Sequence, residues 1–489
     1  MGISLQKKAT SGIFWSAAER FGQQGCGFFV QLVLARLLAP EEFGLIAMVA
    51  VFVALCRGIA DAGFHEAIIQ KRELDESLIA TVFYCNLSLS ALLTVGLWGA
   101  APFIAEFYEQ EQLTLLLRVL SMALVIDGFA RIQLSLLQRE MLFRKLATAT
   151  LVATLASGIV AVVLALKGLG VWALVWQVIL QRCFVAVLVW WQSNWRPKLL
   201  FSVASLKEIM PFASRMFASN LLNNIFQQLY VLVIGRLGTP VDLGYYQRAD
   251  SFKRLASTTS NTLMARITFP LFAQVQDDPE RLRRGFIKAS RLLVFLFFPF
   301  MAVLAAVGEP LIVTLIGEKW LPSVPYLQVL CIVGALHPVH AINLSVIKAM
   351  GEGGMFLRLE VIKKAIIIVV LLATFQHGVY AIVLGQLLCS VLALCVNGFY
   401  TYRLIAVSYW QQFKIYMCAT LLSAVIAMII LSLLPFIHAV APVRLLAGLA
   451  LAGMLWPFGL WLGRRAFVEE LKWFLGELSR LPVLGKILG

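Results

Sequence analysis

The residues of this chain best suited to chemistry are charged and amide side chains set deep inside long apolar segments. Arg57 and Asp61 lie four residues apart in one segment, and Asp127 and Arg131 repeat that spacing in another. A central Arg, Lys or Asp costs about 2.5 to 3.5 kcal/mol on membrane-insertion scales, so such groups face one another or water. Because residues four apart share a helical face, each segment predicts a polar face directed at a hydrated interior.

The excess of basic over acidic groups predicts that this interior is cationic. Guanidinium groups bind phosphate oxygens in bidentate fashion, which suits a multiply charged anion with a phosphate handle. The predicted head-group contacts are Arg20, Arg57, Arg215, Lys253 and Arg254, and the predicted supporting polar groups are Glu19, Asp61, Asn220, Asn224 and Gln227. The alternative to a binding role is that Arg57 and Asp61 neutralise each other and that Glu19 and Arg20 are solvated near a membrane surface.

Three further groups are candidates for coupling an ion to movement, namely Asp127, His337 and His340. Intramembrane acids and histidines form proton relays in pumps and transporters. The alternative is that the two histidines are satisfied core residues beside a kink at Pro338. The fifth, sixth, ninth and eleventh to fourteenth segments are expected to be plain apolar helices.

The composition of the chain is typical of a membrane protein. The chain has 489 residues, of which 61% are hydrophobic, against about 45–50% in soluble domains. Spans need about twenty apolar residues each, which predicts an all-α polytopic protein with about fourteen transmembrane helices. They are placed near 12–37, 43–65, 77–101, 113–137, 147–166, 169–192, 209–235, 244–271, 286–307, 323–347, 357–376, 379–402, 412–434 and 443–463.

An internal repeat organises these segments. The stretch LARLLAPEEFG at 34–44 returns as IGRLGTPVDLG at 234–244, with Arg, Leu, Pro and Gly in the same places. Six spans per copy give two copies in the same orientation, a transporter design in which cargo binds between two moving halves. The predicted domains are a first six-helix lobe at 11–192, a second at 208–402, two additional spans at 411–465 and an amphipathic cytoplasmic tail at 466–489.

Loop charges predict the orientation. Short loops rich in Lys and Arg alternate with acidic loops, and the positive-inside rule places both termini in the cytoplasm.

Other classes are disfavoured by what the chain contains. The chain has a net charge of +15, but none of its predicted loops is long enough to form the soluble basic surface of a nucleic-acid-binding domain. The eight cysteines form no CxxC pair, so neither a metal site nor a cofactor is predicted. No GxxxxGK[ST] loop for ATP is present. Asp277 and Asp278 precede Pro279 in a cytoplasmic turn, and Asp278 is predicted to cap a helix.

The stretches SGIFWSAAERFGQQGCGFFVQLVLARLLAPEEFGLIAM, DAGFHEAIIQKREL, LFAQVQDDPERLRRGF and IGEKWLPSVPYLQVL resemble the Wzx-type polysaccharide flippases of the MOP superfamily, closest to the colanic acid exporter branch. The resemblance implies a bacterial inner-membrane flippase for undecaprenyl-pyrophosphate-linked oligosaccharides used in exopolysaccharide synthesis. It further implies alternating access driven by a proton or sodium gradient. A monomer that works beside polymerase or synthase partners is expected.

Four alternatives are considered at this level, and one of them, a purely structural membrane scaffold, leaves the intramembrane charges without a role. A flippase for a peptidoglycan precursor belongs to the same superfamily. A multidrug exporter would need an acidic, aromatic cavity, and the basic excess argues against it. A membrane glycosyltransferase or polymerase would need catalytic groups on large outer loops, whereas the longest predicted outer connection is only about a dozen residues.

Overall fold

The computed structural model describes residues 2–71, 73–437 and 439–462, with side chains described except at 2–14, 16–20, 258–267, 270 and 457–462. The described ranges are helical and contain no strand, which confirms the all-α prediction. A helix satisfies its own backbone groups, as a bilayer requires. The helices are α1 (Gly2–Leu37), α2 (Pro40–Asp61), α3 (Phe64–Gln70), α4 (Glu76–Phe107), α5 (Gln112–Arg139), α6 (Phe143–Leu166), α7 (Val171–Gln192), α8 (Val203–Leu237), α9 (Pro240–Gln274), α10 (Pro279–Ala306), α11 (Gly308–Ile316), α12 (Val324–Ala349), α13 (Gly353–Thr374), α14 (Gly378–Ile405), α15 (Tyr409–Leu433) and α16 (Ala441–Leu462).

Thirteen of the fourteen predicted membrane segments each lie on one of these helices to within a few residues, and the second, 43–65, runs from α2 into α3. Within the described ranges, nine segments are long and apolar enough to cross a membrane, and one of them, 353–405, contains both α13 and α14. Helices α1, α8 and α9 have 36, 35 and 35 residues and are about 50 Å long at 1.5 Å per residue, and they are not among the nine segments found within the described ranges. The polytopic fold is confirmed, and the count of fourteen crossings stays a prediction.

The second predicted segment, 43–65, ends earlier than expected. Ala62 and Gly63 adopt left-handed conformations, with φ of 45° and 73°, and separate α2 from the short helix α3. A Cβ at Gly63 would lie 2.2 Å from the backbone oxygen of Ala213 on α8. Glycine is therefore required here by both its conformation and the close approach of α8.

The two copies of the repeated motif use the same local chemistry. Pro40 and Pro240 open α2 and α9, where the missing N–H of proline has no cost. In the first turn of α2, the side chain of Glu42 accepts a hydrogen bond from the Ala39 N–H at 2.6 Å. Asp242 likewise accepts from the N–H of Thr239 at 3.0 Å. Each copy thus fixes its own helix start with an acid that reaches back to the cap.

Each glycine of the motif packs against the proline of the other copy. A Cβ on Gly44 would lie 1.7 Å from the backbone oxygen of Pro240, and one on Gly244 would lie 2.0 Å from that of Pro40. Only hydrogen fits at either position. The symmetry of this contact explains why the proline and the glycine recur together in both copies.

The chain forms two compact units, residues 1–247 and 248–489. In the first, α2 packs between α5 and α8, α4 packs on α5, α5 on α7, and α6 on α1 and α7. In the second, α10 packs against α12 and α15, α12 and α13 against α14, and α11 against α16. The predicted domain limits stay a prediction, and the predicted tail at 466–489 lies outside the described residues.

One predicted cap is confirmed. The side chain of Asp278 accepts a hydrogen bond from the N–H of Arg281 at 3.0 Å and begins α10. The acid pair at 277–278 is therefore part of a helix start.

Candidate functional site

A cavity of about 470 Å³ lies within the first unit, among α2, α5, α7 and α8. Its polar lining consists of Arg57, Asp61, Asp127, Arg131, Arg182 and Asn224. Small and branched apolar residues complete the wall, namely Ile46, Ala50, Val53, Ala54, Gly58, Leu120, Ala123 and Val178. The volume falls within the 300 to 1,000 Å³ or so that is usual for ligand pockets.

The charges in this cavity pair across helices. Nε of Arg57 on α2 lies 3.3 Å from Oδ2 of Asp127 on α5, and Nε of Arg131 on α5 lies 3.6 Å from Oδ1 of Asp61 on α2. Arg182 on α7 approaches the other oxygen of Asp127, with Nε 3.6 Å from Oδ1. The order is Arg then Asp on α2 and Asp then Arg on α5, so two helices in register place each charge opposite its complement.

These pairs are loose. A separation of 3.6 Å exceeds hydrogen-bond length, and Oδ1 of Asp61 is a buried oxygen without a hydrogen bond. The side chains of Arg57 and Arg182 are 39% and 29% exposed. Because each guanidinium carries five N–H donors, these side chains retain donors that a ligand can use.

The cavity is also electropositive. Three guanidiniums face two carboxylates in its lining, and arginine remains charged at any physiological pH. One positive charge is therefore uncompensated. A low-dielectric wall strengthens its attraction for an anion.

Close helix contacts hold this geometry. A Cβ on Gly58 of α2 would lie 2.6 Å from Nδ2 of Asn224, so glycine leaves space for that amide. Asn224 uses the space to donate to the backbone oxygen of Ala54 at 2.9 Å. On α5, a Cβ on Gly128 would lie 2.5 Å from Oγ of Ser90 on α4. Glycine beside Arg57 and beside Asp127 thus allows the charged helices to approach their neighbours.

A small chamber of about 10 Å³ adjoins the cavity and shares Arg57, Asp127 and Arg131 with it. Asn86 and Ser90 of α4 form its far wall. Asn86 is only 2% exposed, and its Oδ1 has no hydrogen-bond partner. The chamber has the volume and polarity for a single water molecule.

Four of the sequence-predicted residues come together in the cavity, namely Arg57, Asp61, Asn224 and Asp127. The side chains of Glu19 and Arg20 lie outside the described set.

Three more predicted residues lie on α8 and do not line the cavity. Arg215 is exposed, and its Nε donates to the backbone oxygen of Pro211 at 2.8 Å. Gln227 is exposed. Asn220 donates to Oε1 of Glu66 at 3.2 Å.

The remaining predicted residues lie in the second unit. Lys253 and Arg254 both pair with Asp250, at 2.5 and 2.7 Å. A Cβ on Gly334 would lie 3.0 Å from Cγ of Lys253, which places the stem of this lysine against α12.

The two predicted coupling histidines differ in their surroundings. His337 lies within electrostatic range of Lys253 and Asp250. His340 is bridged to α14, since Nδ1 lies 3.0 Å from Nδ2 of Asn397 and Nε2 lies 3.1 Å from Oγ of Ser390. Both ring nitrogens of His340 are therefore engaged.

Sequence reasoning missed Arg182, and it placed Arg131 on a polar face without naming it as a head-group contact. The expectation that the sixth segment is a plain apolar helix is wrong, because Arg182 on α7 reaches the cavity. A signal was present in the sequence, since Gln181 and Arg182 follow Gln177 by four and five residues in an otherwise apolar stretch. The alternative of an Arg57–Asp61 pair is also replaced by pairing with α5.

The amino-acid sequence matches a family model described as polysaccharide biosynthesis protein over residues 33–325. That range contains every residue that lines the cavity. The chain is 28% identical over 418 residues to the lipopolysaccharide biosynthesis protein WzxC of Escherichia coli, with 84% of each chain covered. It is 27% identical over 395 residues to the succinoglycan biosynthesis transport protein ExoT of Rhizobium meliloti, covering 80% of this chain and 78% of that one.

Solved structures share the fold. The lipid II flippase MurJ in an inward closed conformation superposes with a TM-score of 0.75 at 12% identity, covering 93% of this chain and all of that one. An inward-facing multidrug resistance MATE family transporter of the MOP superfamily superposes with a TM-score of 0.59 at 17% identity, covering 79% and 96%. At these identities the likeness concerns the fold alone.

Proposed function

We propose, from the premise that this chain belongs to the polysaccharide biosynthesis protein family, that it is a multi-pass flippase of the bacterial inner membrane. Its cargo is an oligosaccharide linked to a polyprenyl pyrophosphate, moved from the cytoplasmic to the periplasmic leaflet for exopolysaccharide synthesis. The single observation that carries the proposal is the cavity in which Arg57, Arg131 and Arg182 converge. Relatives named for succinoglycan transport and lipopolysaccharide biosynthesis support it.

The pyrophosphate is the part of such a cargo that resists passage through oil. Moving an isolated ion into a medium of low dielectric costs on the order of tens of kcal/mol. Guanidinium groups offset this cost with charge-assisted hydrogen bonds of about 1.5 to 3 kcal/mol each. Three guanidiniums around one cavity can bind both phosphate groups at once.

The two carboxylates give the site a resting state. Without cargo, Asp127 lies between Arg57 and Arg182, and Asp61 lies beside Arg131. Arriving phosphate oxygens take over the guanidinium N–H groups, and the carboxylates retake them when the cargo leaves. The empty carrier therefore never exposes three unpaired cations, and the cargo is bound without being trapped.

Coupling to an ion gradient is part of the proposal. The candidate groups are Asp127, His337 and His340, with a proton or sodium as the ion. Asp127 lies between Arg57 and Arg182, where it can exchange arginine partners with the cargo. His337 has charged neighbours in Lys253 and Asp250.

The remaining features follow from sequence and family resemblance. Both termini lie in the cytoplasm under the positive-inside rule. The chain acts as a monomer beside the polymerase or synthase that uses its product.

Reconstitution into proteoliposomes tests the proposal. A polyprenyl-pyrophosphate oligosaccharide with a fluorescent sugar is added to one leaflet, and its appearance in the other is followed with a membrane-impermeant quencher. The wild type is expected to flip the lipid, and the triple variant Arg57→Ala/Arg131→Ala/Arg182→Ala is expected to be inactive. The control is Lys198→Ala, which removes an exposed cation paired with Glu76 outside the cavity.

Two results would overturn the proposal. One is flipping by the triple variant at the wild-type rate. The other is a wild-type chain that leaves this lipid in its original leaflet while an unrelated cation or drug moves.

A further inference from the structure

Helix α8 carries a continuous row of carboxamide side chains, here called the amide face. Its members are Asn220, Asn223, Asn224, Gln227 and Gln228. At about 100° per residue, these positions fall within an arc of about 140°. At 1.5 Å per residue the row is about 12 Å long, enough for more than one sugar ring.

The side of α8 opposite the amide face is apolar in this stretch of the helix. Leu222 and Ile225, on the opposite side of the helix, are 43% and 42% exposed and apolar, as a lipid-facing surface should be. Asn223 and Gln227 are exposed as well. A bilayer core offers no hydrogen-bond partners to an amide, so the exposed parts of the amide face are suited to water or a polar ligand, and the opposite side is suited to lipid.

The amide face adjoins the cationic cavity at its middle residue, Asn224. Asn224 lines the cavity together with Arg57 and is held there by its 2.9 Å bond to the backbone of Ala54. One turn away, Asn220 donates to Glu66 at 3.2 Å. Two fixed amides hold the helix against α2 and α3, which sets the direction of Asn223 and Gln227 before any ligand binds.

We infer that the amide face binds the hydroxyl groups of the neutral sugars adjoining the pyrophosphate, an assignment that rests on the proposed function. A carboxamide both donates and accepts hydrogen bonds, as a sugar hydroxyl does. The face carries no charge, so it does not compete with the arginines for phosphate. The arginines thus bind the part shared by all such lipids, and α8 binds the part that distinguishes them.

Two probes separate these roles: a polyprenyl pyrophosphate without sugar, and the same lipid bearing a neutral trisaccharide. Binding of each to the full chain in nanodiscs is measured by native mass spectrometry. The test variant is Asn223→Leu/Gln227→Leu, and the matched control on the lipid-facing side is Leu222→Ala. Because each neutral hydrogen bond contributes modestly, the double variant should weaken binding of the trisaccharide lipid about tenfold. Binding of the sugar-free lipid should stay unchanged.

Conservative replacement guards against misfolding. Gln227→Asn keeps the amide, and on the Asn223→Leu background it is expected to bind the trisaccharide lipid better than the double leucine variant. Equal weakening of both probes, or no change in either, would overturn the inference. A wild-type chain that binds the two probes equally would remove the sugar site and leave the pyrophosphate site standing. A wild-type chain that binds neither would remove the proposed function itself.

Discussion

Replacing Asp127 with asparagine is expected to tighten binding of a pyrophosphate lipid and to slow its transport. The substitution keeps the shape of the side chain and removes the charge that lies 3.3 Å from Arg57 and 3.6 Å from Arg182. The freed guanidiniums then have only the cargo to bind. A variant that binds better and works less well is a distinctive outcome, because most cavity substitutions lose both properties together.

The size of the effect follows from the geometry. At about 3.5 Å, two unit charges attract by about 5 kcal/mol at an effective dielectric of 20 and by about 1 kcal/mol in water. The arginine side chains are 39% and 29% exposed, so the value near 1 kcal/mol per pair applies. Two lost pairs give about 2 kcal/mol, which corresponds to about a 30-fold lower Kd. Because affinity changes reside mostly in dissociation, release should slow by a similar factor.

Two matched variants grade this prediction. Asp61→Asn removes a carboxylate that pairs with one arginine at 3.6 Å, so its Kd should fall only about fivefold. Glu208→Gln removes an exposed acid paired with Lys71 at 2.6 Å outside the cavity lining, and its Kd should not change. Kd is measured for a sugar-free polyprenyl pyrophosphate by isothermal titration in detergent, and transport is measured in proteoliposomes. Weaker binding by Asp127→Asn, or an equal gain from Glu208→Gln, would show that Asp127 does not compete with the cargo for the arginines.

Two further predictions concern helix contacts, one at Gly44 and one at His340. Gly44→Ala places a methyl group 1.7 Å from the backbone oxygen of Pro240 and should destabilise the chain by about 3 kcal/mol, seen as a lower midpoint of thermal unfolding in detergent. Gly96→Ala on α4 meets open space and should be neutral or slightly stabilising, so equal losses in the two variants would contradict the reciprocal contact. His340→Ala removes the hydrogen bonds from α12 to Asn397 and Ser390 and should lower the free energy of unfolding by about 2 kcal/mol. The midpoint of thermal unfolding in detergent should therefore fall. An unchanged midpoint would show that these bonds contribute no stability.

Sequence alone predicted the architecture because membrane insertion constrains it strongly. A run of about twenty apolar residues has few alternatives to a helix in a bilayer, and every predicted segment except 43–65 lies on a single helix to within a few residues. The repeated motif was also readable, since Pro40 and Pro240 begin equivalent helices. The reciprocal glycine contact was not predictable, because nothing in either copy says that it meets the other.

The composition of the site was only partly predictable for a related reason. Helical spacing gives the face of a residue but not the helix that this face meets. Arg57 and Asp61 share a face and could pair with each other, yet the complementary order on α5 draws both across the interface. Arg182 was overlooked because one charge in an apolar helix is a weak signal until a neighbour supplies Asp127.

The central claim is that three arginines of one cavity hold the pyrophosphate of a lipid-linked sugar. Its most direct test is a cryo-electron microscopy structure of the full chain in a nanodisc with a polyprenyl-pyrophosphate oligosaccharide. Phosphate density is expected within hydrogen-bond distance of Arg57, Arg131 and Arg182, with Asp127 displaced from its partners. Lipid phosphate bound elsewhere, with the pairs among these side chains intact, would contradict it.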